Sequence, residues 1–428
     1  MKIPLTFRAL RHRNYRIWFF GQTISLVGTW MQTMAQQVLV YRLTGSAGAL
    51  GTVNFLALVP LIPLSLWGGS LTDRIPKRNV ILTTQALMMI QALMLAFLTW
   101  KGIVQVWHVY LLAFFLGAVN AVDVPARQAF TVDMVEGKED LTNAIGLNSA
   151  MFNGARALGP ALAGAVVATT GEGTAFFLNA VTFVAVILCL LFMRNLPKPV
   201  ERMLGRGQIL RHMGQGWRFV IGEQSILVLF SLVGLSAFLS MPYMTLMPVF
   251  ADQVLGKSAS PVITYLCSGD NPLLRCQSPE ALPLGLLLTM VGVGAVIGAL
   301  VVASLPGHAS RGKWMTFGSI GFPLALVIYS LSRSFVLSML LLLLAGFCFV
   351  WQNTLANTLI QILAPDHLRG RIMSLYSMIT QGMMRLGGLQ AGLVADWIGA
   401  PLSLGIGALI SLVYDTYVAF RYPKVRKI

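Results

Sequence analysis

Polar and apolar residues along this chain do not alternate with the short periods of a soluble fold; they separate into long blocks. Apolar runs of roughly 20 residues, the length a helix needs to cross a bilayer, recur from end to end between short polar segments. Twelve such spans are predicted, near 17–41, 49–71, 80–100, 107–126, 144–169, 175–193, 224–250, 284–305, 314–332, 335–361, 373–398 and 402–420. The runs are continuous, whereas a membrane β-barrel alternates residue by residue. The predicted fold class is an all-α membrane protein of twelve transmembrane helices. An even number of spans puts both termini on one side.

The basic residues orient it. Of 31 Lys and Arg, 24 fall in 1–16, 72–79, 127–143, 194–223, 306–313, 362–372 and the tail from Arg421, all on one side. Five fall on the other side, at Arg42, Lys101, Lys257, Arg275 and Arg333, and Arg156 and Arg385 lie inside spans. Lys and Arg accumulate in cytoplasmic loops, so both termini are expected in the cytoplasm of a plasma (inner) membrane protein. No cleavable leader is expected at 1–16, because the first apolar run is too long and too polar for a signal-peptide core.

Composition agrees. The 428 residues are 56% hydrophobic and 11% charged, with a mean hydropathy of +0.73. A net charge of +16 in a soluble protein suggests nucleic acid, but here the bases lie in short loops and topology explains them. The bilayer is the expected partner, with no nucleic acid, and a monomer is expected. No phosphate-cradling G-x-x-x-x-G-K-[ST] loop is present, so ATP is not expected to drive the protein directly. The five histidines lie near loops, no Cys/His group has metal-site spacing, and no catalytic Ser/His/Asp set can be argued. No enzyme, metal or cofactor is expected.

The stretch Gly69-Ser-Leu-Thr-Asp73-Arg74-Ile-Pro76-Lys77-Arg78 closes the second run just before the third begins. Its G-x-L-x-D-R-x-x-K-R pattern resembles the loop between the second and third spans of the major facilitator superfamily of transporters. The family usually has Gly where Pro76 stands; Pro keeps the turn but not the positive φ. Gly69 permits close helix approach. Asp73 can pair with a base or cap a neighbouring helix N-terminus, and Arg74, Lys77 and Arg78 hold the loop inside. If those contacts exist in only one conformation, the loop is a gating latch. The plainer reading is an ordinary positive-inside loop.

That resemblance implies two six-helix pseudo-repeats. The expected organisation is an N-terminal bundle 1–194, a cytoplasmic linker 195–223 and a C-terminal bundle 224–428 with an external loop 251–283. A shift of 229 residues brings Gly117 onto Gly346, Arg156 onto Arg385 and Gly159 onto Gly388. Within the linker, 208–220 mixes basic and apolar residues and suits an amphipathic helix on an anionic leaflet. Cys267 and Cys276 share the external loop. A disulfide there is expected, closing a small ring worth about 2–3 kcal/mol, with two free thiols as the alternative.

A mid-span arginine costs about 2.5–3.5 kcal/mol on insertion scales, so Arg156 must face a cavity or a partner. With Gly159, Pro160 and Gly164 it resembles the fifth-span motif of exporting, antiporter branches, in which a bent, small-faced helix seals the outward half. A generic close-packed helix pair is the alternative. Arg385 is its counterpart; either arginine can meet an anionic substrate group or steady a rocking interface. Asp123, with Arg127 one turn on, is the best-placed acid for proton coupling, against a plain i,i+4 pair at the membrane edge. Asp396 and Asp415 are the other acids within spans. Cavity candidates are Gln32, Gln36, Asn120, Tyr243, Trp351, Gln352 and Asn353, lying in spans one, four, seven and ten, which line the family's pathway. Membrane amides also serve simply to glue helices.

The opening Phe7-Arg-Ala-Leu-Arg-His-Arg-Asn-Tyr-Arg16, the Gly28-Thr-Trp-Met-Gln32 string and Pro125-Ala-Arg-Gln128 resemble the branch holding the enterobactin exporter and macrolide-efflux proteins. The resemblance implies export of amphipathic small molecules of drug, macrolide or siderophore type, by proton antiport with alternating access. Lipid or lysolipid translocation is the alternative, then a non-transporting membrane sensor. The external loop exceeds what that branch leads one to expect.

Overall fold

The computed structural model describes residues 5–61, 63–64, 75–135, 137–194, 206–267, 275–304, 310–423 and 426. After a 3-10 turn, Leu5–Arg11, come α1 (Arg13–Thr44), α2 (Ala47–Leu58), α3 (Lys77–Trp100), α4 (Val106–Asp133), α5 (Lys138–Thr170) and α6 (Glu172–Phe192). Then follow α7 (Arg206–Gly222), α8 (Gln224–Leu239), α9 (Tyr243–Val249), α10 (Gly256–Cys267), α11 (Ala281–Ala303), α12 (Arg311–Leu331), α13 (Phe335–Leu363), α14 (Asp366–Ile398) and α15 (Ala400–Arg421). Among the described residues there is no β-strand. α1 and α3–α6 occupy the first and the third to sixth predicted spans, α2 the first part of the second, whose end lies outside the described residues, α8 with α9 the seventh, and α11–α15 the last five. Among the described residues, eight stretches are long and apolar enough to cross a membrane by themselves. α1, α5 and α14 interrupt their apolar runs with Gln32, Gln36 and Gln37, with Asn153 and Arg156, and with Gln381 and Arg385.

Several helices outrun the apolar stretch that marked them. α4 continues to Asp133, α5 starts at Lys138 and α14 at Asp366. Hydropathy registers the bilayer, while helical hydrogen bonding continues into water. The seventh span, expected as one run over 224–250, is broken. α8 ends at Leu239, Ser240 to Pro242 form a turn, α9 follows, and Phe250–Val254 is a π-helical turn. Pro242 and Pro248 have no N–H to continue the ladder. The loop expected to be external, 251–283, holds a helix, α10.

Packing repeats between the halves. A Cβ on Gly117 of α4 would lie 2.2 Å from the Ala57 carbonyl oxygen of α2, and one on Gly346 of α13 would lie 2.2 Å from the Val291 oxygen of α11. Gly159 presses likewise on Trp30 of α1, and Gly387, beside Gly388, on Phe238 of α8. Gly117 and Gly346, matched in sequence, do matching work, removing a side chain where two backbones touch; Gly388, the sequence match of Gly159, instead faces Thr245, and the contact like that of Gly159 falls one residue earlier, at Gly387.

Contacts divide the chain into two units, one of 1–44, 56–203 and 263–285, the other of 45–55, 204–262 and 286–428. The first is centred on Tyr15, Trp18, Ile81, Phe130, Val186 and Leu190. The second is centred on Ile226, Leu229, Leu355, Leu359, Ile372 and Leu375. Residues 45–55 group with the later helices because the first turns of α2 lie on α14. There a Cβ on Gly51 would stand 2.6 Å from the Gly388 oxygen, and one on Gly392 2.5 Å from the Ala47 oxygen. Residues 263–285 group with the earlier helices because the chain after α10 seats on the end of α5.

Candidate functional site

Gly69, Asp73 and Arg74 of the expected latch lie outside the described residues. Its last two bases are anchored on neighbouring helices. Lys77 Nζ donates to both carboxylate oxygens of Asp133, 2.8 Å each, at the end of α4. Arg78 Nη2 donates to the Leu191 carbonyl of α6 at 3.2 Å.

Asp123 is fully buried. Arg127 Nε lies 2.6 Å from its Oδ2, in i,i+4 register. From α3, the Thr84 hydroxyl donates to Oδ1 at 2.6 Å and Gln85 Nε2 at 3.2 Å. Asp123 and Arg127 form an i,i+4 ion pair whose carboxylate is buried, whose guanidinium is partly exposed, and which is braced by a second helix. Attraction repays desolvation in such a pair only with good geometry and supporting hydrogen bonds, and Thr84 and Gln85 supply them.

In α5, Arg156 is 7% exposed, and its guanidinium lies 5.9 Å from the centroid of the Trp30 ring, a cation–π contact. Gly159 receives that tryptophan's Cβ at a distance no side chain would allow. Gly164 and Pro160 meet Gly285 at the head of α11: a Cβ on Gly285 would be 2.8 Å from the Gly164 Cα and 3.0 Å from the Pro160 oxygen. Arg385 on α14 is half-buried, and its Nη1 has no hydrogen-bond partner among the described residues. In α15, Asp415 is 2% exposed, and neither carboxylate oxygen has a hydrogen-bond partner among the described residues.

The polar residues singled out for a cavity wall fall into two groups. Gln32 is buried in an amide chain: Asn179 Nδ2 of α6 donates to its Oε1 at 2.6 Å, and its Nε2 donates to Gln91 Oε1 of α3 at 3.0 Å. Gln352 accepts from the Ser236 hydroxyl of α8. Tyr243 stacks edge-on to Phe322. Trp351 donates to the Gly298 carbonyl at 3.1 Å amid Trp314, Phe317 and Phe347. These four hold helices together. Gln36, Asn120 and Asn353 are half-buried; Asn120 bonds within its own helix, and Asn353 accepts the Tyr376 hydroxyl of α14.

Three features at the helix ends had no counterpart in the sequence reading. Asp140, in the first turn of α5, is 1% exposed and takes Arg8, Arg11 and His12 at 2.7, 2.6 and 2.8 Å. The His12 hydrogen bond, with Arg11 and Arg8, holds its carboxyl below the usual range against the opposing effect of burial. At the far end of α5, Gln277 and Ser278 donate backbone N–H to the Ala168 carbonyl at 2.6 and 2.8 Å, capping one of the orphan carbonyls of the last turn. Just before that cap Cys267 and Cys276, expected from the sequence as a disulfide or as two free thiols, are joined in the disulfide. Asp396, at the end of α14, bonds to the start of α2. Only Arg–Asp proximity within one helix carries a sequence signal; contacts between distant segments carry none.

The family model for transmembrane secretion effectors matches residues 5–269 and 272–427. The staphyloferrin A transporter of Staphylococcus aureus is 26% identical over 418 residues, covering 96% of each chain. An enterobactin exporter of Shigella boydii is 25% identical over 402 residues, covering 94% of this chain and 87% of that protein. A POT family transporter in complex with 5-aminolevulinic acid superposes with a TM-score of 0.74 at 13% identity, over 96% of each chain. A bacterial homologue of the human lysosomal transporter Spinster gives 0.68 at 11%, over 100% of this chain and 98% of that one. These two structures share the fold. With helices, glycine crossings and full-length matches in agreement, the chain belongs to the transmembrane secretion effector family: it is a major facilitator transporter of small organic molecules and not an enzyme.

Proposed function

We propose that this protein exports an anionic, oxygen-rich chelator of siderophore type, by proton antiport with alternating access, from a plasma membrane in which both termini are cytoplasmic. The observation that carries the substrate class is Arg385, half-buried in mid-span with one guanidinium nitrogen unbonded among the described residues. Such a donor favours a ligand bearing carboxylate or catecholate oxygens. The two relatives aligned over nearly the whole chain, a staphyloferrin A transporter and an enterobactin exporter, support the same class. The 24-to-5 distribution of bases supports the orientation. Drugs and macrolides share the amphipathic character but not the charge.

The test pairs two assays. A strain lacking the protein is grown without iron, and the chelator retained in the cells and released to the medium is measured. Purified protein in proteoliposomes is then given that chelator with a pH-sensitive dye inside. Retention on deletion, together with chelator-dependent proton movement, is expected. Unchanged secretion rules out the substrate class, and transport without proton movement rules out the coupling. Lipid movement with no chelator movement favours the translocator reading.

A further inference from the structure

We infer that Asp396 is a positioning residue for transport: it serves as the N-cap of a helix 350 residues away in sequence, and making or breaking that cap sets which side of the protein is open. The inference rests on the alternating-access reading above and names a residue through which it works.

The start of a helix leaves its first backbone N–H groups without partners. At α2 the first three are all provided for, and two of them by α14. Ala47 N donates to Asp396 Oδ1 at 2.8 Å and Gly48 N to Asp396 Oδ2 at 3.0 Å. Ala49 N donates to the Ser46 hydroxyl at 3.1 Å, and that hydroxyl donates to Asp396 Oδ2 at 2.6 Å. A carboxylate at a helix N-terminus also gains from the helix dipole. Gly45, at φ +63, makes the tight exit from α1 that presents these groups together.

The surroundings are shaped for this approach. A Cβ on Gly48 would stand 2.6 Å from Asp396 Oδ2 and 3.1 Å from Leu393 Cδ2, so a larger residue there would push the carboxylate out of its present place. One and two turns away, Gly51 lies on the Gly388 backbone and Gly392 on the Ala47 carbonyl. α2 is thus divided: its start is seated on α14, while Ala57 is seated on Gly117 of α4. A motion that carries α14 away from α4 must therefore either open the cap or bend α2 between Phe55 and Leu56, where the two units divide. Asp396 is exposed, so water can take over its hydrogen bonds when the contact opens. Exposed charge-assisted contacts are weak, which suits a contact that must release on each cycle. Asp73, at the opposite end of the second span in sequence, belongs to the stretch expected to be a latch; if that latch is made in the other state, the two acids pull the equilibrium in opposite directions.

The test reads conformation without substrate. Ala49→Cys, at 8% exposure beside the cap, is the reporter in the full-length protein. Its labelling rate by a membrane-impermeant maleimide is measured in right-side-out and in inverted vesicles. Losing a cap of ordinary strength changes an equilibrium about fivefold. Asp396→Ala is expected to raise labelling about fivefold, Gly48→Ala comparably, and Ser46→Ala less. Asp73→Asn is expected to lower it. Asp396→Asn, which keeps one acceptor, covers the case in which the alanine variant does not fold. Equal labelling in Asp396→Asn, Gly48→Ala and the parent overturns the inference, as does a loss of thermal stability without a change in labelling. Because no chelator or proton is involved, failure of the proposed substrate leaves this result readable, and labelling seen only in inverted vesicles reverses the orientation alone.

Discussion

Gly164 of α5 and Gly285 of α11 meet backbone to backbone: a Cβ on Gly285 would lie 2.8 Å from the Gly164 Cα. Interfaces of this kind hold helices in membranes by close packing, since lipid offers no hydrophobic drive for helices to associate. Gly159 is tighter still against its neighbour, with Trp30 Cβ 2.4 Å from where its own Cβ would be, whereas Gly164 as alanine would meet Gly285 at 3.2 Å. Gly159→Ala is therefore expected to cost about 1–3 kcal/mol and Gly164→Ala less. Thermal denaturation of the purified variants in one detergent checks the order; equal losses contradict it.

Asp123→Ala leaves Arg127, whose side chain is 24% exposed, without its nearest counter-charge. Breaking a fully buried pair from one side costs about 3–5 kcal/mol, and a smaller loss is expected here because water reaches the guanidinium. Asp123→Ala with Arg127→Met removes both charges and is expected to be the more stable of the two. If the single variant is as stable as the parent, the pair has no structural weight.

The cluster around Asp140 ties the 3-10 turn of the N-terminus to α5. Its carboxyl is held below the ordinary value of 3.8, first by the His12 hydrogen bond. A depressed carboxyl stabilises the fold above the unfolded value and loses that contribution as pH falls through the depressed one. The N-terminal segment is therefore expected to stay protease-resistant at neutral pH and to loosen only below about pH 4. Asp140→Ala is expected to expose it at every pH. Limited proteolysis across pH, with mass analysis of the released peptide, tests both statements.

Asp73→Asn is expected to cut transport while leaving membrane expression intact, as a latch residue does. Unchanged transport in vesicles would retire the latch and leave 69–78 an ordinary basic loop.

Much of this was legible in the chain, for physical reasons. A bilayer imposes a length on every span, so the apolar runs located the helices. Arg156 and Arg385 were conspicuous because mid-span charge is costly, and Asp123 with Arg127 because four residues make one turn. Helix ends were less legible, since Lys138 begins α5 in a polar stretch that hydropathy reads as loop. The broken seventh span shows the same weakness: Pro242 and Pro248 sit in a run apolar enough to look continuous. Least legible were partners far apart in sequence. No spacing rule joins Thr84 to Asp123, Gln32 to Asn179 or Asp396 to Ala47, because helix-to-helix register is decided by which glycines let which backbones touch.

The sulfur bridge between Cys267 and Cys276 sits two residues ahead of the Ser278 amide that closes the end of α5. Biogenesis of the transporter thereby inherits the redox chemistry of whichever compartment receives that loop. A host unable to oxidise those thiols would deliver a protein whose α5 terminus is closed by an untethered segment, so the choice of expression strain becomes a variable in any measurement of its activity.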